Sequence, residues 1–168
     1  MPVYASVLFA TDLSDEAAAQ LIEDFQSVGV TAELRQVSPR RALGEIAWLA
    51  LAVVQLKPFF DQLISDFADD AYQHLKTLIA RLFRLHHPPP TEPPRVLLLQ
   101  DSTTGIQIVL EPDLPARAYQ QLLSFDFGTL RRGPLHYDQH RRRWRSELDE
   151  ADNATSPPHA LRARFAGT

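Results

Sequence analysis

The chain has 168 residues, 45% of them apolar, a size that supports one substantial core and is short for two. Cysteine is absent, which excludes disulfides, thiolate catalysis and cysteine-ligated metal. The net charge of -4 is uneven: residues 1–80 carry 11 acids and 5 bases, residues 81–168 carry 10 acids and 12 bases, a split that can steer a partner to one end.

Residues 3–10, VYASVLFA, are β-branched and aromatic enough to predict a strand. Ser14 then suits a helix N-cap, with Asp15 and Glu16 in the first turn and Ala18, Leu21, Ile22 and Phe25 at helical spacing. Gly29 stops that helix, and VTAELRQV over residues 30–37 predicts a second strand. Ser38-Pro39 signals a further helix over residues 40–57, with IAWLALAVV as its apolar core. The apolar run at 46–60 is too short for the roughly 20 residues that span a bilayer, and Gln55, Lys57 and Pro58 spoil its end. No membrane-spanning segment is expected.

Pro58 predicts a break, followed by one long amphipathic helix over residues 59–83. Leu63, Phe67, Leu75, Leu78 and Leu82 lie along its apolar face. HHPPPTEPP at 86–94 predicts a stiff, proline-rich connection. RVLLLQ and GIQIVLE then predict an antiparallel pair around the turn at 101–105, with Val96, Leu98, Ile106 and Ile108 facing inward. Asp113 and Pro115 start another helix. Residues 128–137 and 142–146 suit a closing hairpin around Asp138, and the tail beyond about residue 150 is expected to be mobile. The expected plan is one α/β (α+β) domain over 1–150, with a mixed or antiparallel sheet packed against a long amphipathic helix and shorter helices, and a tail over 151–168. Whether the first unit and the post-linker strands share one sheet or form two subdomains stays open.

Chemical motifs are sparse. No segment matches a P-loop, a dinucleotide fingerprint or a Gly-x-Ser-x-Gly elbow. Asp12 and Ser14 follow the first strand, where an α/β enzyme could bind an anion, yet ordinary capping by Ser14 explains the same residues. Asp66 and Asp70 share a helix face at i,i+4 spacing, and an acidic solvent face accounts for them. His136 and His140 flank Asp138 and could meet across a turn, but they form no compelling zinc set. Whether Asp12, Asp101 and Asp126 converge is open from sequence. No catalytic residue, cofactor or metal is expected.

The strongest charge feature spans residues 131–145. Arg131, Arg132, Arg141, Arg142, Arg143 and Arg145 surround Tyr137 and Trp144, against the one acid Asp138. Arginine forks suit carboxylates as well as phosphates. Because Glu147, Asp149 and Glu150 follow directly and no standard nucleic-acid module is visible, an acidic protein surface is the preferred partner over nucleic acid, while a solvated basic hairpin with Trp144 anchoring its inner face accounts for the same residues without a partner. Arg131, Arg132, Arg141, Arg143 and Arg145 are the expected partner-binding residues.

Residues 33–111 also resemble small accessory components associated with bacterial effector (conflict) systems. AELRQV, Leu43-Gly44-Glu45, IAWLALAVV, RVLLLQ and GIQIVLE carry the resemblance, over about half the chain. The 59–83 helix and the proline linker depart from the pattern. The resemblance implies an adaptor or regulatory role beside an effector and supplies no catalytic residue. The expected function is therefore a non-catalytic interaction or regulatory accessory domain in a cytoplasmic setting, with bacterial defence as the implied context. A second copy of the chain is a further candidate partner if the Trp48 segment or the long helix leaves an apolar face uncovered. A nucleic-acid-binding module built on the 131–145 hairpin and a small enzyme near Asp12 and Ser14 are the rivals.

Overall fold

The computed structural model describes residues 2–9, 13–37, 48–84, 96–130, 134–146, 148, 150 and 151. The opening unit forms as expected: β1 (Val3–Phe9), α1 (Asp15–Ser27) and β2 (Val30–Gln36), with β1 and β2 parallel. Ser14 Oγ accepts from the Ala17 N–H at 3.1 Å, so the predicted cap is made. Gly29 sits at φ 77, the left-handed geometry that ends a helix without a Cβ penalty.

The helix expected over residues 40–57 is a misreading where that segment is described. Trp48–Val54 is a strand, β3, antiparallel to β1 and parallel to β4 (Val96–Asp101). A short apolar run is compatible with either a buried helix or a central strand, and its Ala and Leu favour the helix by propensity. Pairing on both sides decides for the strand. β5 (Gln107–Leu110) completes a mixed sheet of order β2-β1-β3-β4-β5. Thus β3 joins the opening unit and the later strand pair in one sheet.

Pro58 is not a break either. It lies in the first turn of α2 (Leu56–Phe67), where a missing N–H forfeits no intrahelical bond. The single long helix is in fact assembled from two: α2 and α3 (Ala71–Arg84), joined by a 3-10 turn at Ala68–Asp70. Ala68 adopts φ 46 there, which no continuing helix permits. The break also separates Asp66 from Asp70, and Asp66 instead accepts from Gln62 Nε2 at 2.7 Å.

Strand register explains the core. Phe9, Ala50, Leu97 and Leu110 form one row across the sheet, and Val7, Ala52, Leu99 and Ile108 form the next. Both rows face the helices and belong to one buried cluster with Phe25, Phe59, Leu63, Leu75, Leu78 and Leu82. The small Ala50 and Ala52 let the helical layer approach the centre of the sheet. Leu98 is buried as expected, but on the sheet face opposite Ile108, paired with Leu51 and Val109. Three consecutive leucines conceal the alternation that would have revealed this. The apolar faces of α2 and α3 pack largely within the chain, with Phe67, Tyr72 and Phe83 partly buried and Ile64 exposed.

One buried charge clamps the helical layer. Asp24 on α1 is 5% exposed and pairs with Arg81 on α3, with Gln20 Nε2 a further donor at 3.4 Å. Such a carboxylate is tolerated inside because it is paired.

Beyond the sheet lie α4 (Ala116–Leu123), a 3-10 turn at Phe127–Thr129, and the hairpin of β6 (His136–Asp138) and β7 (Arg143–Arg145). The closing hairpin is therefore shorter than expected and its first strand does not begin at Gly128. Leu135 bridges β5 through two backbone hydrogen bonds of 2.8 and 2.9 Å, partly covering that sheet edge. No helix among the described residues is long and apolar enough to cross a membrane. The proline-rich segment at 86–94 and the tail beyond residue 151 lie outside the described residues.

Candidate functional site: an arginine hairpin and an aromatic cleft

The hairpin is built by alternation. Tyr137 and Trp144 pair across the strands and point inward, their rings 5.4 Å apart and edge-on. Trp144 is buried, and its indole N–H donates to the Ala118 carbonyl of α4 at 2.8 Å. Beneath it, burial pushes the Tyr119 hydroxyl up to about 12. The intervening positions therefore turn outward: His136 opposite Arg145, and Asp138 opposite Arg143. His136 thus faces an arginine across the strands rather than His140, which lies in the turn. Among the described residues no group of three or more His, Asp or Glu could hold a metal.

The arginines divide into two kinds. Arg145 is committed internally: it donates to Asp138 Oδ2 at 2.8 Å and to both carboxylate oxygens of Glu150, one at 2.9 Å. Hydrogen bonds to Glu150 and then Asp138 raise its pKa further. The Arg141 N–H and the Arg145 side chain hold the Asp138 carboxyl below its usual range, and Arg145 does the same to Glu150. Among the described residues the Arg141 and Arg143 side chains make longer contacts, 3.5 to 3.9 Å, and are 55% and 58% exposed. Arg142 is exposed at φ 53, and its carbonyl accepts from Gln121 Nε2 at 3.1 Å. Arg131 and Arg132 lie outside the described residues.

A second feature escaped the sequence. A cleft of about 600 Å³ opens where β3 and β4 end, bounded by the first turn of α2, the β4–β5 turn and the segment after α4. Its volume falls in the range of small-molecule sites. Phe60 and Phe127 stack at 5.5 Å with an interplanar angle of 10°, and Phe125 leans on Phe127 at 5.1 Å. Asp101 and Asp126, whose convergence was undecidable from sequence, both line it. Asp12 lies outside the described residues. Ser14 caps α1 at the opposite end of the sheet, since β1 and β3 run antiparallel.

Asp101 occupies the end of the row Ala5–Val54–Asp101, on the helix side of the sheet. From there Oδ1 accepts from the Leu56 N–H at 3.1 Å and caps α2 from another strand. Oδ2 accepts from the Thr104 N–H at 2.9 Å and the Thr104 hydroxyl at 2.7 Å. Burial opposes its ionisation, but these donors outweigh it and hold the pKa below 3.8. A carboxyl depressed in the folded state contributes stability that is complete above its unfolded pKa and is lost as pH falls through the folded value. Asp101→Asn should therefore flatten the acid limb of stability between about pH 4 and the lower folded pKa, and weaken the cap by about 0.5–2 kcal/mol at neutral pH. Urea titrations of both proteins across that window check it; parallel acid limbs would contradict the assignment.

Compared with protein-family models, curated proteins and solved structures, the chain shows no match.

Proposed function

We propose that this chain is a non-catalytic interaction domain that docks an acidic surface of a partner protein through Arg141, Arg142 and Arg143. The carrying observation is the division of the arginines: Arg145 is charge-paired with Asp138 and Glu150, while Arg141 and Arg142 in the turn and Arg143 at the start of β7 stay exposed on a scaffold tied down at both ends. Asp138 holds the turn at the Arg141 N–H, and Gln121 holds it at the Arg142 carbonyl. A pre-ordered turn loses little conformational freedom when it binds, and exposed like charges accelerate encounter with an acidic surface. Arg145, expected among the contact residues, instead serves as the strut that positions the others. Nucleic acid is the weaker partner because Tyr137 and Trp144 are buried and offer no face for base stacking. An accessory role beside a bacterial effector, which the sequence resemblance implies, suits a cytoplasmic domain of this kind.

The test replaces Arg141, Arg142 and Arg143 with Gln together, and measures association with poly-glutamate and with duplex DNA at two salt concentrations. The thermal melt should be nearly unchanged, because among the described residues these side chains make no contact shorter than 3.5 Å. Poly-glutamate association should slow, and its salt dependence should shrink. Equal affinity and equal salt response in the triple variant would reject the surface. Tight DNA binding lost in the same variant would transfer the role to nucleic acid.

A further inference from the structure

We infer that the cleft at the ends of β3 and β4 binds a small organic cation carrying a flat, apolar body, an arylalkyl amine in chemical class. The site is independent of the arginine hairpin and is argued from what its walls have already satisfied.

Anions are excluded first. The N-terminus of α2 would ordinarily attract one, but Asp101 already fills that position from β4. Thr104 closes on the other oxygen of the same carboxylate. The cleft's one lysine, Lys57, is paired to Asp61 at 2.6 Å. Among the lining residues, three carboxylates, Asp61, Asp101 and Asp126, stand against that lysine. An incoming phosphate or carboxylate would have to displace an internal one and meet, among the described lining residues, an excess of negative charge.

The remaining acceptor is Asp126. Its Oδ1 accepts from the Gly128 N–H at 2.9 Å, capping the 3-10 turn. Among the described residues that is the one hydrogen bond its side chain makes, which leaves the carboxylate's other acceptor positions to a ligand. Asp126 lies between Phe125 and Phe127 in the chain, so charge and aromatic wall are presented by the same turn. A ring laid against Phe127 continues the Phe60–Phe127 stack, and an ammonium beside it gains both the carboxylate and the negative ring face. A ligand with a cation but no flat body forgoes the wall, and one with a ring but no cation forgoes Asp126.

The experiment titrates the full chain with phenethylamine, phenethyl alcohol and phenylacetate, following backbone amide shifts by NMR. The amine should move the amides of residues 123–128 and 101–104, the alcohol should bind more weakly, and phenylacetate should not bind. Asp126→Asn retains an acceptor for the Gly128 N–H, so the fold should survive; it should weaken the amine about ten-fold and leave the alcohol unchanged. Phe125→Leu supplies a second arm and should weaken amine and alcohol by the same factor. The arginine triple variant should bind the amine as the parent does, which separates this inference from the hairpin reading. Absence of cleft shifts at millimolar amine overturns it. So does phenylacetate binding as well as the amine, or an equal effect of Asp126→Asn on amine and alcohol.

Discussion

Trp144→Ala should destabilise the protein by about 3–5 kcal/mol, the cost of removing a large buried aromatic side chain. The indole is buried against α4 and stacked edge-on with Tyr137, so its loss empties the contact that fastens the hairpin to the body. The Ala118 carbonyl would also lose its donor in a buried place. Trp144→Phe separates these contributions. It keeps a ring and removes the N–H, and should cost about 1–3 kcal/mol. Denaturant titrations of the three proteins give the ordering directly. A Trp144→Ala protein as stable as the parent would mean that the hairpin is not docked on α4, and the rigid presentation of Arg141–Arg143 would fall with it.

Leu75→Ala should cost about 2–5 kcal/mol. Leu75 is fully buried on α3, where it packs toward Ala52 and Leu99 of the sheet and Phe25 and Phe59 of neighbouring helices. A narrow void of about 10 Å³ already runs among these side chains. Truncation enlarges it, and the penalty grows with the cavity that cannot collapse. Phe67→Ala should cost less, although both residues belong to the same apolar stripe in the sequence. Phe67 is only partly buried, and its ring stacks on His74 at 3.7 Å. The loss for Leu75→Ala should not change with protein concentration, because its face is covered within the chain. A concentration-dependent loss would place that face in a dimer interface instead.

These two effects differ in how far the sequence foretold them. Leu63, Leu75, Leu78 and Leu82 recur at helical spacing, and spacing alone marked them as core. The equal rank given to Phe67 failed because Ala68 turns the chain to φ 46 just beyond it. Nothing local in ADD announces such a break. Likewise, β5 and α4 were legible from alternation and from Asp113 with Pro115, whereas β3 was not. Its identity depends on β1 and β4, which lie more than 35 residues away in either direction along the chain at several paired positions, as in Ala5 with Val54 and Val54 with Asp101.

The candidate sites divide in the same way. The arginine excess at 131–145 is a composition, and composition is visible in a string of residues. Which arginine is closely paired and which stays exposed depends on Glu150 meeting Arg145, a contact outside the hairpin's own strands. The aromatic cleft was invisible because Phe60, Asp101 and Asp126 come from three separate elements and share no spacing. By itself, then, the sequence determined the α/β class, the βα beginning, the β4–β5 pair and the absence of thiol chemistry, since each follows from local period or residue content. The single sheet, the broken helix, the neutralised Arg145 and the cleft were decided only by tertiary structure. Each rests on pairing energies between residues distant in the chain, and those outweigh local preference wherever an apolar run can serve equally as helix or strand.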